Sequence, residues 1–278
     1  MRSRGEEMSK FFVANQQIQN GMITIIGEDV NHITNVLRLQ RKDELFVCDK
    51  ENGVTYKTTI TELEKEAVIC KIIEKIPDTT ESNVRVTIFQ GLPKADKMEY
   101  IIQKTTELGV KDIVPVRMKR CIVKLEGKDE TKKIDRWQKI AEVAAKQSGR
   151  DRIPKVENII HIEQLKEQIS NFDLFLIAYE EEKENTLKNE LSKLHSNRIK
   201  KEVDLFKKMK SEDRFQYYGI KEELTVGVVI GPEGGLDKQE VEILQQNGAK
   251  IVTLGKRIMR TETAPIAILS NIMYEFDN

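Results

Sequence analysis

The apolar positions of this chain follow two different patterns. From residue 8 to 76, short apolar runs alternate with turns, which is typical of a small β-rich module, with one helical insert at about 28–39. From Val84 onward, continuous apolar runs alternate with helical spacing, as expected of an α/β domain built on a parallel sheet. Between them, the polar stretch 77–83 has the composition of a linker. The sequence therefore predicts two domains, 8–76 and 84–278.

The second domain divides into elements that its apolar runs and glycines delimit. A charged stretch at about 181–222 has few aromatic or β-branched residues, and we expect it to be a mobile or helical excursion outside the core. The other predicted elements are a strand from Val84, a helix over 96–108 that Gly109 ends, a strand over 112–117, a helix over about 131–148 that Gly149 ends, and a strand over 172–180.

Two glycine-containing loops near the C-terminus are the most informative feature of the sequence. Gly-Pro-Glu-Gly-Gly at 231–235 and Leu-Gly-Lys-Arg-Ile-Met-Arg-Thr-Glu-Thr-Ala at 254–264 each follow an apolar run typical of a buried strand. Each precedes a helical pattern, for which Asp237 is a suitable N-cap and Pro265 a suitable first-turn residue. We expect both loops at the carboxyl ends of adjacent strands, where open α/β sheets bind ligands.

The chemistry of these loops does not match a phosphate cradle. They lack the glycine, lysine and hydroxyl spacing of a P-loop, and also the three-glycine fingerprint of dinucleotide-binding domains. Glu233 in the first loop would repel a phosphate. Glycines next to Pro232 instead indicate a rigid backbone shaped around a neutral or cationic ligand.

Composition adds only a little to the prediction of function. The 278 residues include 46 basic and 46 acidic side chains, so net charge gives no indication of a nucleic-acid partner. Residues 94–152 hold 16 Lys or Arg against 10 Asp or Glu, which is weak support for an RNA-facing surface. The three cysteines are scattered and indicate neither disulfides nor a metal site. No apolar stretch has the length of a membrane span, and the N-terminus lacks a signal-peptide core, so we expect a cytoplasmic protein without a metal, whose first seven residues are a disordered extension.

The two loops together resemble the C-terminal signature of SPOUT-class RNA methyltransferases. Upstream segments are similar to one member, the 16S ribosomal RNA uridine-N3 methyltransferases (the RsmE family), over nearly the whole chain. One departure is Lys146, where the resemblance leads us to expect an acid, and the 181–222 stretch is another, since it looks like an insertion. The segments that carry the resemblance are Phe-Phe-Val at 11–13, His32 and Arg38 in HITNVLRL, LPKADKMEYIIQKTTELGV at 92–110, and AAKQSGR at 144–150 with Pro154 following.

The resemblance implies a fold and an activity. The fold would be a PUA-like β-barrel RNA-binding domain followed by a trefoil-knotted SPOUT domain, and the protein would work as a homodimer. The activity would be methylation by S-adenosylmethionine of N3 of a uridine in 16S ribosomal RNA or the assembled small subunit, at the family target conventionally numbered uridine 1498. Two alternatives stay open: a methyltransferase of this class that acts on another RNA such as tRNA, and a non-catalytic RNA-binding protein of the same fold.

The expected activity also assigns roles to residues. Methylation at N3 requires loss of the imide proton, so the enzyme should either provide a base, for which Glu262 is the most plausible residue, or stabilise the developing anion, for which Arg260 is the best residue. RNA contacts are expected from His32, Arg38, Lys94, Lys97, Gln147 and Arg150. Cofactor contacts are expected from Gly231, Glu233, Gly234, Gly235, Leu254, Gly255, Ile258, Met259, Thr263 and Ala264.

Overall fold

The computed structural model describes residues 10–77, 80–209 and 223–277. The expected N-terminal extension, two residues of the linker and the end of the charged stretch lie outside these ranges. The chain forms two compact units: the first contains 1–81 together with Ala145–Ile153, and the second contains 82–144 and 154–278. The sequence placed 145–153 in the second domain, whereas the structure groups it with the first.

The first unit is a six-stranded sheet, as the alternating apolar runs predicted. Its order is β1-β4-β5-β6-β3-β2, with β1 and β4 parallel and the other neighbours antiparallel. The helical insert is a short α-helix, α1 (Glu28–Asn31), continued by a π-helical turn over His32–Val36. The strands are β1 (Lys10–Val13), β2 (Ile18–Gln19), β3 (Met22–Ile26), β4 (Glu44–Asp49), β5 (Val54–Leu63) and β6 (Ala67–Ile76).

The segment 145–153 is held in the first unit by buried polar contacts around Asp151. The Lys10 ammonium donates to the Asp151 carboxylate at 2.6 Å, and the hydroxyls of Thr55 and Thr80 donate to the same carboxylate. Burial of Asp151 favours the neutral acid, but these hydrogen bonds outweigh it and lower the pKa below its usual value of 3.8. The thiol of Cys48 donates to the Asp151 carbonyl, and burial raises the pKa of this thiol to about 11.

The second unit is a seven-stranded, all-parallel sheet. Its order is β10-β8-β7-β12-β11-β13, and β9 pairs with β8 off this path. The strands are β7 (Val84–Gly91), β8 (Asp112–Arg117), β9 (Lys155–Val156), β10 (Ile160–His161), β11 (Leu174–Ala178), β12 (Leu224–Ile230) and β13 (Lys250–Val252). The helices are α2 (Lys97–Glu107), α3 (Lys128–Gln147, whose last three residues are grouped with the first unit), α4 (Ile162–Lys166), α5 (Leu187–Lys208), α6 (Lys238–Gln246) and α7 (Ala264–Phe276).

Helices cover both faces of this sheet, which explains why strands such as β11 and β12 are nearly continuous apolar runs. All eight residues of β7 are buried. Successive side chains of a strand point to opposite faces. Ile88 accordingly packs in one core cluster with residues of α2, α3, α5 and α7, while Phe89 packs in another with residues of α4 and α6. A strand buried on both faces needs no polar alternation.

The charged stretch is not wholly outside the core. Leu187 and Leu191 in the first turns of α5 are buried in the cluster that contains Ile88, and Leu194 packs against it. The expectation of an excursion outside the core is therefore wrong for these turns. The high charge density hid an i, i+4, i+7 apolar stripe, which is sufficient to dock one helical face. Of the helices that the structure describes, none combines the length and apolarity that crossing a bilayer requires.

Candidate functional site

The candidate site lies at the carboxyl edge of the parallel sheet in the second unit. The sequence predicted that β12 and β13, the strands that precede the two glycine loops, are adjacent. This prediction is wrong, because β11 lies between them. The loop 253–263 nevertheless reaches the first loop, where the Thr261 hydroxyl donates to the Gly231 carbonyl at 2.7 Å. The sequence predicted the right edge of the sheet and the wrong strand order, since chain order does not determine order in a sheet.

The glycines of the first loop lie where a side chain would be crowded or, at Gly235, strained by a positive φ. A Cβ on Gly235, whose φ is +70°, would lie 2.0 Å from a carboxylate oxygen of Glu180, which follows β11. A Cβ on Gly231 would lie 3.0 Å from the carbonyl carbon of Gly235, and one on Gly234 would lie 3.1 Å from Cβ of Arg120. These three glycines let the loop fold tightly on itself and its neighbours, rather than leaving open space for a ligand.

Gly255 in the second loop is different. Its φ is +119°, and a Cβ there would meet no described atom within 4 Å. Leu254 and Met259 pack against the core, whereas the side chain of Ile258 is 85% exposed. Thr263 is exposed immediately before α7, and Ala264, the first residue of that helix, is buried. An open backbone beside an exposed apolar side chain is a surface that a ligand can cover.

A lysine joins the two loops through their acidic side chains. The Lys97 ammonium, at the start of α2, lies 3.1 Å from Glu233 Oε1 and 3.2 Å from Glu262 Oε2. The amide N–H of Lys94 also donates to Glu233. Burial favours the neutral form of Glu233, but the hydrogen bonds from the backbone and from Lys97 outweigh it and lower its pKa. The two carboxylates, principally that of Glu233, raise the pKa of Lys97.

Arg260 lies next to this cluster in sequence and is exposed. Among the described residues its guanidinium makes no hydrogen bond or ion pair, so it is available to a substrate. Glu262 is partly buried and shares Lys97 with Glu233. One loop thus carries both an available cation and a carboxylate, the two groups that the expected chemistry requires.

The predicted RNA-contacting residues fall into an exposed group and a group whose side chains are bonded within the protein. Lys94, in the second unit, is exposed, and so are His32, Arg38 and Gln147 in the first unit. The edge of the His32 ring packs against Phe11, with the ring centroids 5.8 Å apart, and Arg38 has a positive φ of 55°.

Lys97 and Arg150 are engaged within the protein. Lys97 is held by the two carboxylates, and Arg150 is buried with its guanidinium bonded to Glu81 at 2.5 and 3.1 Å. The structure therefore does not support the predicted phosphate contact for Arg150. Lys146, where an acid was expected, pairs with Asp29 at 2.8 Å in the same unit.

Sequence reasoning missed Gln90 and assigned no role to Thr261, although Thr261 lies inside the second motif. Gln90 ends the buried strand β7 and is fully buried, and its amide nitrogen donates to Thr261 Oγ1 at 3.0 Å. The available signal was a polar residue inside an otherwise apolar strand end, directly before a glycine. Over the described ranges, no group of three or more His, Cys, Asp or Glu side chains is arranged to hold a metal ion.

Comparison with known families defines the class of protein. Residues 80–273 match the sequence model of an RNA methyltransferase domain, and residues 25–73 match that of an RNA methyltransferase PUA domain. The first match covers the parallel sheet and both loops, and the second lies within the six-stranded sheet. The chain thus contains an RNA methyltransferase domain and an RNA methyltransferase PUA domain.

Individual relatives narrow the class to one family. The chain is 36% identical to the ribosomal RNA small subunit methyltransferase E of Bacillus subtilis, over 96% of this chain and 97% of the relative. The crystal structure of the Neisseria gonorrhoeae protein of that name, bound to S-adenosyl methionine, is 27% identical with a TM-score of 0.72 and covers 96% of this chain and 97% of its own. A Legionella pneumophila protein in complex with the same cofactor is 25% identical with a TM-score of 0.74, covering 97% and 98%. The chain belongs to the ribosomal RNA small subunit methyltransferase E family.

Proposed function

We propose that this chain is an S-adenosylmethionine-dependent methyltransferase that acts on N3 of a uridine in 16S ribosomal RNA of the small subunit. The observation that carries the proposal is the 253–263 loop, which presents an available arginine, a carboxylate and an open glycine at the carboxyl edge of the sheet. Membership of the family supports the rRNA substrate and a cytoplasmic site of action. Uridine 1498 is the position that we propose as the target.

The residues present fit the cofactor. The open backbone at Gly255 and the aliphatic side chains of Leu254, Ile258, Met259 and Ala264 would enclose its adenine. The lowered pKa of Glu233 keeps this side chain a carboxylate, which suits a ligand with a cationic end. Thr263 lies beside this backbone, and Gly231, Gly234 and Gly235 would contribute by shaping the loop. When bound, S-adenosylmethionine supplies an electrophilic methyl group on its sulfonium.

Two side chains of the second loop would prepare the uridine. The neutral imide nitrogen has no available lone pair, so its proton must leave before N3 can accept a methyl group. Glu262 is the carboxylate positioned in this loop to accept that proton. Arg260, available among the described residues, would stabilise the negative charge that spreads onto the uracil carbonyl oxygens.

The first unit would contribute RNA affinity. It contains the match to the PUA domain and presents His32, Arg38 and Gln147 on its surface. Lys94 would add a contact from the second unit. Lys97 would hold the carboxylates of Glu233 and Glu262 in place at the site. Because it is partly exposed, Lys97 would also contribute weakly to phosphate binding.

A trefoil knot and a homodimer complete the proposal. After β13 at the edge of the sheet, the chain returns past β11 and β12, and α7 packs against α2 and β7 in the middle of the sheet, which supports the proposed knot. Tyr274 of α7 is 84% exposed, and Tyr100 of α2 is also exposed. A second copy would cover these aromatic side chains. We also infer that the first unit closes into a β-barrel.

The experiment is methylation of purified small subunits that lack the modification, followed by mass spectrometry of the nucleosides. We expect 3-methyluridine at one position in 16S rRNA. Methylation of tRNA alone would favour the first alternative, and no binding of S-adenosylmethionine by calorimetry would favour a non-catalytic RNA-binding protein.

Two variants test the assignment of Arg260. Arg260→Ala should lower the single-turnover rate and leave cofactor affinity nearly unchanged. Lys256→Ala, which removes another exposed cation of the same loop, is the matched control and should retain the rate. Equal rates for wild type and Arg260→Ala would remove Arg260 from the mechanism.

A further inference from the structure

A chain of hydrogen bonds links the central strand of the second unit to both loops of the site. The amide nitrogen of Gln90 donates to the carbonyl of Gly91 and to Thr261 Oγ1, each at 3.0 Å. The Thr261 hydroxyl in turn donates to the carbonyl of Gly231 at 2.7 Å. Gln90 is fully buried and Thr261 is nearly so, which means that water does not compete for these bonds.

Thr261 is the residue between Arg260 and Glu262. Its side chain points into the protein, whereas that of Arg260 is exposed. The hydrogen bonds of the Thr261 side chain therefore hold in place the backbone from which the side chains of Arg260 and Glu262 project. The N–H of Thr263 and that of Ala264 both donate to the carbonyl of Arg260, so this backbone continues directly into α7.

The second amide atom of Gln90 argues against a role in packing alone. Its Oε1 is buried and has no hydrogen-bond partner among the described residues. A buried acceptor without a partner destabilises the folded state, and an apolar side chain of similar length would avoid that cost. For packing alone, an apolar side chain would therefore fill this space better than glutamine does. The feature that only the glutamine supplies is its pair of N–H donors.

We propose that Gln90 is a positioning residue for methyl transfer, which acts through Thr261 to hold Arg260 and Glu262 in their productive geometry. This inference rests on the proposed function, because it assigns the reaction to the second loop. A small displacement of reacting groups is costly to rate even where binding is unaffected. The role thus predicts a slower chemical step with the fold and cofactor binding preserved.

The principal variant is Gln90→Met, which keeps the length of the side chain and removes its donors. We expect the variant to remain folded with a slightly lower melting temperature, since the Gly91 carbonyl loses a donor while the unpartnered Oε1 is also removed. The S-adenosylmethionine affinity should stay within about twofold, because no cofactor contact is removed. The single-turnover methylation rate on small subunits should fall about tenfold, the effect of removing one well-placed interaction. A Gln90→Met protein with the wild-type rate would overturn the proposal.

A double-mutant cycle tests whether Gln90 acts through Thr261. Thr261→Val should slow methylation, and Gln90→Met added to it should cause no further decrease. Thr261→Ser keeps the hydroxyl and should restore most of the rate. Thr105→Val is the control and should not slow methylation, since among the described residues the buried Thr105 hydroxyl bonds only within α2. Multiplicative decreases for Gln90→Met and Thr261→Val would overturn the coupling.

Hydrogen exchange provides a readout that does not depend on the reaction. Gln90→Met should speed exchange of backbone amides in 255–264 and leave those of α2 unchanged. If wild-type protein methylates no ribosomal RNA, the proposed function fails, yet faster exchange in this loop would still support the positioning role of Gln90. Unchanged exchange would refute it whatever the substrate is.

Discussion

Removing the guanidinium of Arg150 should destabilise the first unit rather than weaken its phosphate contacts. Arg150 and Glu81 form a pair in which both side chains are only 6% exposed, with nitrogen–oxygen distances of 2.5 and 3.1 Å. Breaking such a pair from one side costs about 3–5 kcal/mol, because a buried charge is left without its partner. Glu81 Oε1 also accepts from the backbone N–H groups of Asp151 and Arg152, which would remain. We therefore expect about 3 kcal/mol for Arg150→Met, the lower end of that range.

A second substitution should recover part of this stability. Glu81→Gln removes the charge but keeps the oxygen that the two backbone N–H groups need. The double variant Arg150→Met/Glu81→Gln should thus be more stable than Arg150→Met alone, even though it carries one more change. The predicted order of stability is wild type, then the double variant, then Arg150→Met.

The assay must report on the first unit. The single tryptophan, Trp137, lies in the second unit, so its fluorescence does not follow the relevant strands. Hydrogen exchange of peptides from 10–77 at increasing urea concentration does follow them. RNA binding is measured in parallel against salt, since a variant with one phosphate interaction fewer has a slope of log K against log salt that is lower by about 0.7–0.9. An Arg150→Met protein with undiminished stability and a lower salt slope would refute the structural role and restore the predicted RNA contact.

Three further predictions address the cofactor, the RNA and pH. Gly255→Ala should weaken S-adenosylmethionine binding more than Gly248→Ala, since both glycines have positive φ and room for a Cβ but only Gly255 lies in the site; equal calorimetric affinities would contradict the placement. Arg38→Ala should lower the salt slope of RNA binding by about 0.7–0.9 and leave cofactor affinity unchanged; an unaltered slope would exclude a phosphate contact. Because the pKa of Asp151 is lowered in the folded state, its contribution to stability is present above its usual value of 3.8 and is lost as pH falls below it. Asp151→Asn should flatten this part of the acid-unfolding profile of the first unit, and a profile that keeps its full slope would contradict the assignment.

Local patterns in the sequence were sufficient to predict most elements. The strand over 112–117 has the predicted bounds, and the helix expected over 96–108 spans 97–107. Asp237 caps its helix through the N–H of Gln239, as its position before an apolar-periodic stretch indicated. These features depend on a few neighbouring residues, whose backbone preferences and apolar spacing are visible in the sequence itself.

The position of the two glycine loops was also predictable, because parallel strands that end in glycine loops place those loops at one edge of a sheet. The partners of its residues were not. Lys97 was assigned to RNA, yet it bridges Glu233 and Glu262 from more than a hundred residues away in the chain. A lysine at a helix start has the same local sequence whether it faces water or a carboxylate.

The sequence by itself determined the elements, the two glycine loops and the family to which the chain belongs. Only the tertiary structure placed β11 between β12 and β13, buried Arg150 against Glu81, and joined Gln90 to Thr261 across 171 positions of the chain. The physical reason is the separation along the chain of the residues that interact. Helix and strand formation follow from interactions between near neighbours, whereas strand order and buried polar pairs depend on which distant segments the whole core brings together.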